Sequence, residues 1–478
     1  MQFGQRFNSN RIRMEKFDAI VIGSGQAGNP LAKRLSEEGR RVALVESDFI
    51  GGTCINYGCT PTKTLVGLAK IFSQAKRATE YGITLNNRMP IYEKIYQRKN
   101  KIVADFRNGL EESLLTDPNI TIFHGKGGFS GYKEIRVQSD NMHDKVLTAE
   151  LIFINTGTRA YVPDIEGLQS VKFLTSKTIL ELEYLPKRLL IIGGGYVGLE
   201  FAQIFRRMGS LVTVIERSSR LLPKEDEDVG LEIRRILEAD GVEVVTDAIT
   251  SRVETDGDES INVEISVSGK SYALSGTHLL LATGRIPNTE DLNLSEVGIQ
   301  IDQKGFILVN DHLETTKTGI YALGDVKGGP AFTHVSYHDY IIMVNYLFGN
   351  RTSSIYNRLI PYCIFIDPEL GRIGLTENEA KERGYDFSVA KMDTAFIARA
   401  TETDETMGFL KAIIDNKTKR ILGAATICSG GGELMSLLQI AMQGGLTYDQ
   451  LRDTMFAHPT YAEAINNLFN PVHIQSPI

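Results

Sequence analysis

Cys54 and Cys59 are separated by four residues within Gly51-Gly-Thr-Cys-Ile-Asn-Tyr-Gly-Cys-Thr-Pro-Thr-Lys63, and this stretch holds two of the four cysteines in 478 residues. Two such thiols can close into a disulfide and reopen by two-electron exchange. Spacing alone leaves another reading open, two core cysteines that never react, because free Cys is often buried. The segment upstream argues for redox chemistry. Phe17–Gly23 is a short apolar run that reads as a buried strand, and Gly23, Gly25 and Gly28 form G-x-G-x-x-G. An amphipathic helix to Gly39 and a second strand, Arg41–Glu46, follow. Glycines at these places allow a tight turn and close approach to a pyrophosphate at the helix N-terminus, while Glu46 can accept ribose hydroxyls. Pro30 falls early in that helix and removes a backbone donor, which predicts a local adjustment.

The same pattern returns 170 residues later, with Gly193, Gly195, Gly198, Gly209 and Glu216 standing for Gly23, Gly25, Gly28, Gly39 and Glu46. Arg188–Gly193 is its first strand. Two fingerprints in register, with a dithiol between them, describe an electron relay between two dinucleotides. Leu151–Thr158 and Leu279–Arg285 each end an apolar strand with Thr-Gly, marking where the chain leaves each nucleotide fold. The expected fold is therefore α/β, with two Rossmann-like dinucleotide-binding domains, the second inserted in the first. The first spans 14–158 and 285–352, the second 159–284. Gly305–Asn310 and Gly319–Gly324 are read as strands, the latter ending at Asp325. Turn propensity alone leaves Asp325 equally open to a turn or a ligand role. Residues 353–478, with a hairpin at Asp415–Lys419 and helices around 431–444 and 447–455, read as a C-terminal α+β domain for assembly or substrate recognition.

Composition limits the partners. The net charge of −7 comes without a basic cluster, which argues against nucleic acid. No apolar run reaches the roughly 18 residues of a membrane span. Residues 1–13 carry arginines but no hydrophobic core, so a disordered leader before a start at Met14 is favoured over a targeting segment. The expected compartment is the cytoplasm, where a cysteine pair is more often catalytic than structural. No resident metal site is expected.

Near the C-terminus, Phe456-Ala-His-Pro-Thr-Tyr-Ala-Glu463 places Pro459 at a first helical position, His458 at the cap and Glu463 about one turn inside. A His held by a Glu suits proton transfer during thiol–disulfide exchange. By itself the pair is equally compatible with a structural role. The other histidines, His143 among them, have no comparable partner in sequence.

With these motifs the chain resembles the class I pyridine nucleotide-disulfide oxidoreductases, the flavoproteins that include dihydrolipoamide dehydrogenase, glutathione reductase and mercuric reductase. Gly51–Lys63 resembles the redox-disulfide motif and Gly193–Glu200 the second nucleotide loop. Ala282–Asn288, Ala322–Asp325 and His458–Glu463 match the remaining motifs in order, so the resemblance runs from Lys16 to about Phe469. It implies FAD in the first fold, with Glu46 on the adenosine ribose and Asp325 on the ribityl chain, and a nicotinamide cofactor in the second. It implies Cys59 as the flavin-proximal thiol, Cys54 as the interchange thiol, Tyr196 as a cover over the flavin, and Lys63 paired with Glu200 near the ring. It adds Thr53, Lys63, Gly127, Thr156, Gly157 and Gly284 to the cofactor-binding residues. His458 and Glu463 come from the partner subunit in this family, which implies a homodimer and makes 353–478 its dimerisation domain.

Glu216 favours NADH, because a carboxylate holds a ribose 2′-hydroxyl and repels a 2′-phosphate. Arg217 and Arg220 follow closely and leave NADPH open. The acceptor is least defined. Phe332–Tyr340 resembles the mercuric-reductase-like branch, whereas the absence of a vicinal cysteine pair in His473–Ile478 and the presence of His458 depart from mercuric reductase. Cys363 and Cys428 lie in apolar strands and read as core. Three functions stand: reduction of a small or protein-bound disulfide such as lipoamide, reduction of a mercuric or cupric ion at the Cys54–Cys59 thiolates, and slow redox sensing.

Overall fold

The computed structural model describes residues 14–85, 89–139, 144–257 and 260–475. The leader 1–13, His143 and the terminal 476–478 lie outside these residues. The chain forms two compact units, one of residues 14–61, 100–159 and 285–358, the other of 62–99, 160–284 and 359–475.

The first unit is built on a five-stranded sheet in the order Ile320–Ala322, Leu151–Ile154, Ala19–Ile22, Val42–Glu46, Ile120–His124. Every pairing in it is parallel. A parallel sheet is covered on both faces, so its strands must be apolar throughout, and Ala19, Ile20, Val21 and Ile22 are all buried. Leu31 and Leu35 of the helix Gly28–Glu37 pack on one face with Val21 and Leu44. Ile20, Ile22, Val45 and Phe129 share the core of the other face. A four-stranded sheet (Met14–Lys16, Lys145–Thr148, Glu134–Gln138, Lys126–Gly131) completes this unit.

The second unit repeats the parallel design in four strands, ordered Glu243–Val245, Leu211–Ile215, Arg188–Ile192, His278–Leu281. A three-stranded antiparallel sheet follows from Ala248 to Gly276, where Ser260–Val267 alternates buried and half-buried positions as a sheet with one covered face should. The C-terminal part is a six-stranded antiparallel sheet, ordered Tyr362–Ile364, Glu369–Gly374, Ile421–Cys428, Phe409–Asp415, Phe387–Asp393, Ile474–Gln475. The helices Gly431–Gln443 and Tyr448–Arg452 follow the hairpin at 415–421.

Two local expectations change. Pro30 brings no local adjustment: Asn29 N and Leu31 N on either side still donate to Gly25 O at 3.1 Å and Ala27 O at 3.2 Å, and only the donor of Pro30 itself is missing from the first turn. Residues 305–310 do not form a strand, and pair only through single bridges at Ile307 and Val309. Asp302 takes the N–H groups of Lys304 and Phe306, and Asn310 those of His312 and Glu314, so side chains turn the chain where a ladder was expected.

Candidate active site

The two glycine loops are built alike. Gly23 N donates to Val45 O at 2.7 Å and Gly193 N to Ile215 O at 2.8 Å. A Cβ on Gly28 would lie 2.2 Å from Gly23 O, and one on Gly198 2.2 Å from Gly193 O, so close passage of strand and helix requires glycine at both. Glu46 accepts from Ser24 N at 2.8 Å and Asp48 N at 2.9 Å. Glu216 accepts from Gly194 N at 2.7 Å and Ser218 N at 2.8 Å. Each carboxylate is thereby fixed at a strand end beside its loop.

The residues present fit the two dinucleotides. The helices Gly28–Glu37 and Tyr196–Met208 begin with no side-chain cap and no acidic residue in the first turn, which leaves their positive ends to a pyrophosphate. Space is open beside Gly195, Gly157 and Gly284. Tyr196 is the first residue of its helix and half-buried. Thr156 and Asn288 exchange hydrogen bonds of 2.8 Å each, which hold the turn through Gly157. Asp325 accepts from Thr158 Oγ1 at 3.1 Å. Burial pushes its carboxyl up, against the opposing pull of Arg285 and Thr158, and such a group suits hydrogen bonding to a hydroxyl-rich chain. Gly127 lies against Val45 and Ile22 at the sheet, and Thr53 is exposed.

The dithiol spans two helices, Gly52–Tyr57 and Cys59–Arg77. Gly58 joins them, and a Cβ there would lie 2.9 Å from Thr53 O and 3.3 Å from Cys54 Cα. Both cysteines are half-buried. Cys59 Sγ lies 3.1 Å from Thr333 Oγ1, on the first residue of the 16-residue helix Thr333–Phe348, whose positive end favours a thiolate. The Cys54 thiol is pushed up by its hydrogen bond with Cys59, by burial and by the charge of Cys59.

In the second unit, Lys63 Nζ donates to Glu200 Oε2 at 2.7 Å and lies 4.8 Å from the centre of the Phe365 ring. The buried Glu200 is satisfied at its other oxygen by Phe365 N at 2.9 Å. His458 Nδ1 and Glu463 Oε2 are 2.8 Å apart, and the imidazole is 66% exposed. His458 is not a helix cap, as the sequence suggested. The helix starts at Ala464 with Glu463 at its N-cap, and His458–Pro459 is a cis peptide. Thr460 Oγ1 donates to Ala457 O and accepts from Glu463 N, so a hydroxyl-closed turn replaces the first helical turn.

Burial pushes the Cys428 thiol up to about 12, and Cys363 is also raised by burial, which keeps both thiols protonated. Among the described residues, the acidic group close enough to hold an ion is Asp226, Asp228 and Glu377, and the Lys411 ammonium bonds all three. Sequence reasoning missed Thr333 beside Cys59, Asn155, whose Nδ2 donates to Gly23 O at 3.1 Å, and Ser24 beside Glu46. Thr333 stood in a stretch already singled out, but no periodicity links residues 274 positions apart.

Residues 17–339 match the pyridine nucleotide-disulphide oxidoreductase family, and residues 360–469 match the dimerisation domain of the same family. A probable pyridine nucleotide-disulfide oxidoreductase, RclA of Escherichia coli K12, is 38% identical over 96% of this chain and 100% of its own. A mercuric reductase of Bacillus cereus is 34% identical over 94% of this chain and 70% of its own. The solved Cu(II) complex of the HOCl-induced flavoprotein disulfide reductase RclA from Escherichia coli superposes with a TM-score of 0.87 at 38% identity, covering 95% of this chain and 99% of that one.

Proposed function

The chain belongs to the pyridine nucleotide-disulphide oxidoreductases, which use FAD and NAD(P)H, and we propose that it passes electrons from NADH through FAD to Cys54–Cys59 and on to a disulfide acceptor. The bond between His458 and Glu463 carries this reading. Glu463 fixes Nδ1 and leaves Nε2 to take and return a proton, which is what a protonated Cys54 needs to attack a disulfide. FAD, when bound, supplies two-electron transfer between nicotinamide and dithiol.

Glu46 holds the FAD ribose and Asp325 the ribityl hydroxyls in this reading, with Gly23, Gly25 and Gly28 at the pyrophosphate. Gly193, Gly195 and Gly198 would receive the nicotinamide dinucleotide and Glu216 its 2′-hydroxyl, with Tyr196 at the start of the same helix. Thr333 and the positive end of its helix favour a thiolate at Cys59, while Cys54 faces the substrate. The dyad serves the partner's dithiol in a homodimer assembled through the dimerisation domain, and the enzyme works in the cytoplasm. Among the described residues no helix is long and apolar enough to cross a membrane.

A second reading is favoured by the relatives: reduction of a mercuric or cupric ion, since two half-buried thiols suit soft cations and the similar RclA was solved as a Cu(II) complex. NADH oxidation against lipoamide, glutathione disulfide, Hg²⁺ and Cu²⁺, for wild type and His458→Ala, separates them. Disulfide turnover falls about 10²–10⁴-fold in the variant if the dyad is its acid–base. Metal turnover unaffected by the variant, with no disulfide turnover in wild type, overturns the first reading. No turnover with any acceptor supports a redox sensor instead.

A further inference from the structure

Ser24 stands between the first glycine loop and the dithiol helix. It is fully buried, its Oγ donates to Glu46 Oε2 at 2.6 Å, and the same oxygen accepts from Gly51 N at 3.0 Å. Gly51 is the N-cap of Gly52–Tyr57, the helix that carries Cys54, and that helix has no side-chain cap of its own. The approach is tight, since a Cβ on Gly52 would lie 2.8 Å from Gly25 Cα. A serine hydroxyl has one proton; because the Glu46 carboxylate takes it, a lone pair is turned to the Gly51 N–H. The second fold has Gly194 at this place, and a Cβ there would lie 2.7 Å from Leu221 Cδ2, so Glu216 has no hydroxyl through which to reach another segment.

We propose that Ser24 is a positioning residue that carries the state of Glu46, empty or holding the FAD ribose, to the helix of Cys54 and so sets the dithiol–disulfide equilibrium. This rests on the placement of FAD in the first fold given above. A carboxylate shared with ribose hydroxyls is a weaker acceptor for Ser24, and the Gly51 bond changes with it. Cys54 then meets Cys59 from a differently held helix start.

The equilibrium is read in dithiothreitol buffers, with thiols alkylated after acid quench and counted by mass. Protein dithiol and oxidised dithiothreitol give protein disulfide and reduced dithiothreitol, two electrons and two protons passing together. Wild type with and without FAD is expected to differ at least threefold in this constant. Ser24→Ala and Ser24→Gly still bind FAD but lose most of that difference; glycine is included because Gly194 shows that the turn accepts it. In apoprotein, Glu46→Gln shifts the constant beside Ser24 but not beside Gly, because the carboxylate reaches the dithiol helix through the serine hydroxyl. An unchanged FAD effect in the Ser24 variants, or additive effects of the two substitutions in apoprotein, overturns the proposal. A wild type that binds no FAD overturns the underlying placement instead, and flavin fluorescence reads this separately.

Discussion

The two glycine loops share their strand, turn, helix and acid, yet they are enclosed differently. In the first, Asn155 Nδ2 donates to Gly23 O, a Cβ on Gly25 would lie 3.0 Å from that amide, and a Cβ on Gly324 2.9 Å from Asn155 Oδ1. The corresponding residue of the second fold is Ala282, which offers only a methyl, and Gly195 faces open space. Ser24 binds the first loop to the dithiol segment, whereas Gly194 is packed under Leu221. One motif thus yields a loop clamped by distant polar side chains and another left open. The first suits a cofactor that stays, the second one that comes and goes each turnover.

The largest effect comes from cutting the output of the first fold. Cys54→Ser should lower acceptor reduction by more than about 10³-fold while NADH still bleaches the flavin absorbance. Bleaching lost together with turnover would mean that the dithiol also shapes the nicotinamide route. Next come the paired clashes. Gly28→Ala and Gly198→Ala meet the same 2.2 Å obstacle, and each should cost about 1–3 kcal/mol locally. Gly28→Ala should emerge depleted of FAD, whereas Gly198→Ala should keep FAD and raise the KM for NADH. Identical cofactor content in the two would erase the distinction between resident and exchanging site. A smaller change should follow from Glu216→Ala, which removes the acceptor proposed for the ribose 2′-hydroxyl. KM for NADH should rise about tenfold, the equivalent of ~1.4 kcal/mol, with kcat little changed. A variant that then prefers NADPH would show that Arg217 and Arg220 can take a 2′-phosphate once the acid is gone.

Much of this was legible because it is periodic or local. The apolar runs 19–22 and 189–192, the glycines and their terminal acids are fixed by backbone sterics within about thirty residues. The pairing of His458 with Glu463 was within reach for the same reason, although the cap assigned to it was not: Thr460 competes for the backbone and delays the helix to Ala464. Strand 305–310 failed similarly, to Asp302 and Asn310. Thr333, Asn155 and Ser24 were illegible for another reason. Their roles depend on what lies opposite in space, and a hydroxyl or amide in a loop bears no mark of its partner until the sheet order is known.

The finest test concerns Asp325, a half-buried acid of the first unit. Burial raises its folded-state carboxyl above the ordinary value, with Arg285 and Thr158 only partly compensating. The sign for apoprotein follows. Below the unfolded value near pH ~4 both states are protonated and the favourable contribution is complete. As pH rises from there through the folded value, the unfolded chain releases its proton first and stability is lost. Asp325→Asn cannot ionise, so its apoprotein should melt above wild type at neutral pH and converge with it in acid. FAD affinity should move the other way, falling about tenfold for one charged hydrogen bond of ~1.5 kcal/mol. Thermal melts from pH 4 to 8 with and without FAD read both effects. If Asn melts below wild type throughout, the carboxylate is stabilised by Arg285 more than burial penalises it, and the cofactor role proposed for it then carries no cost to the fold.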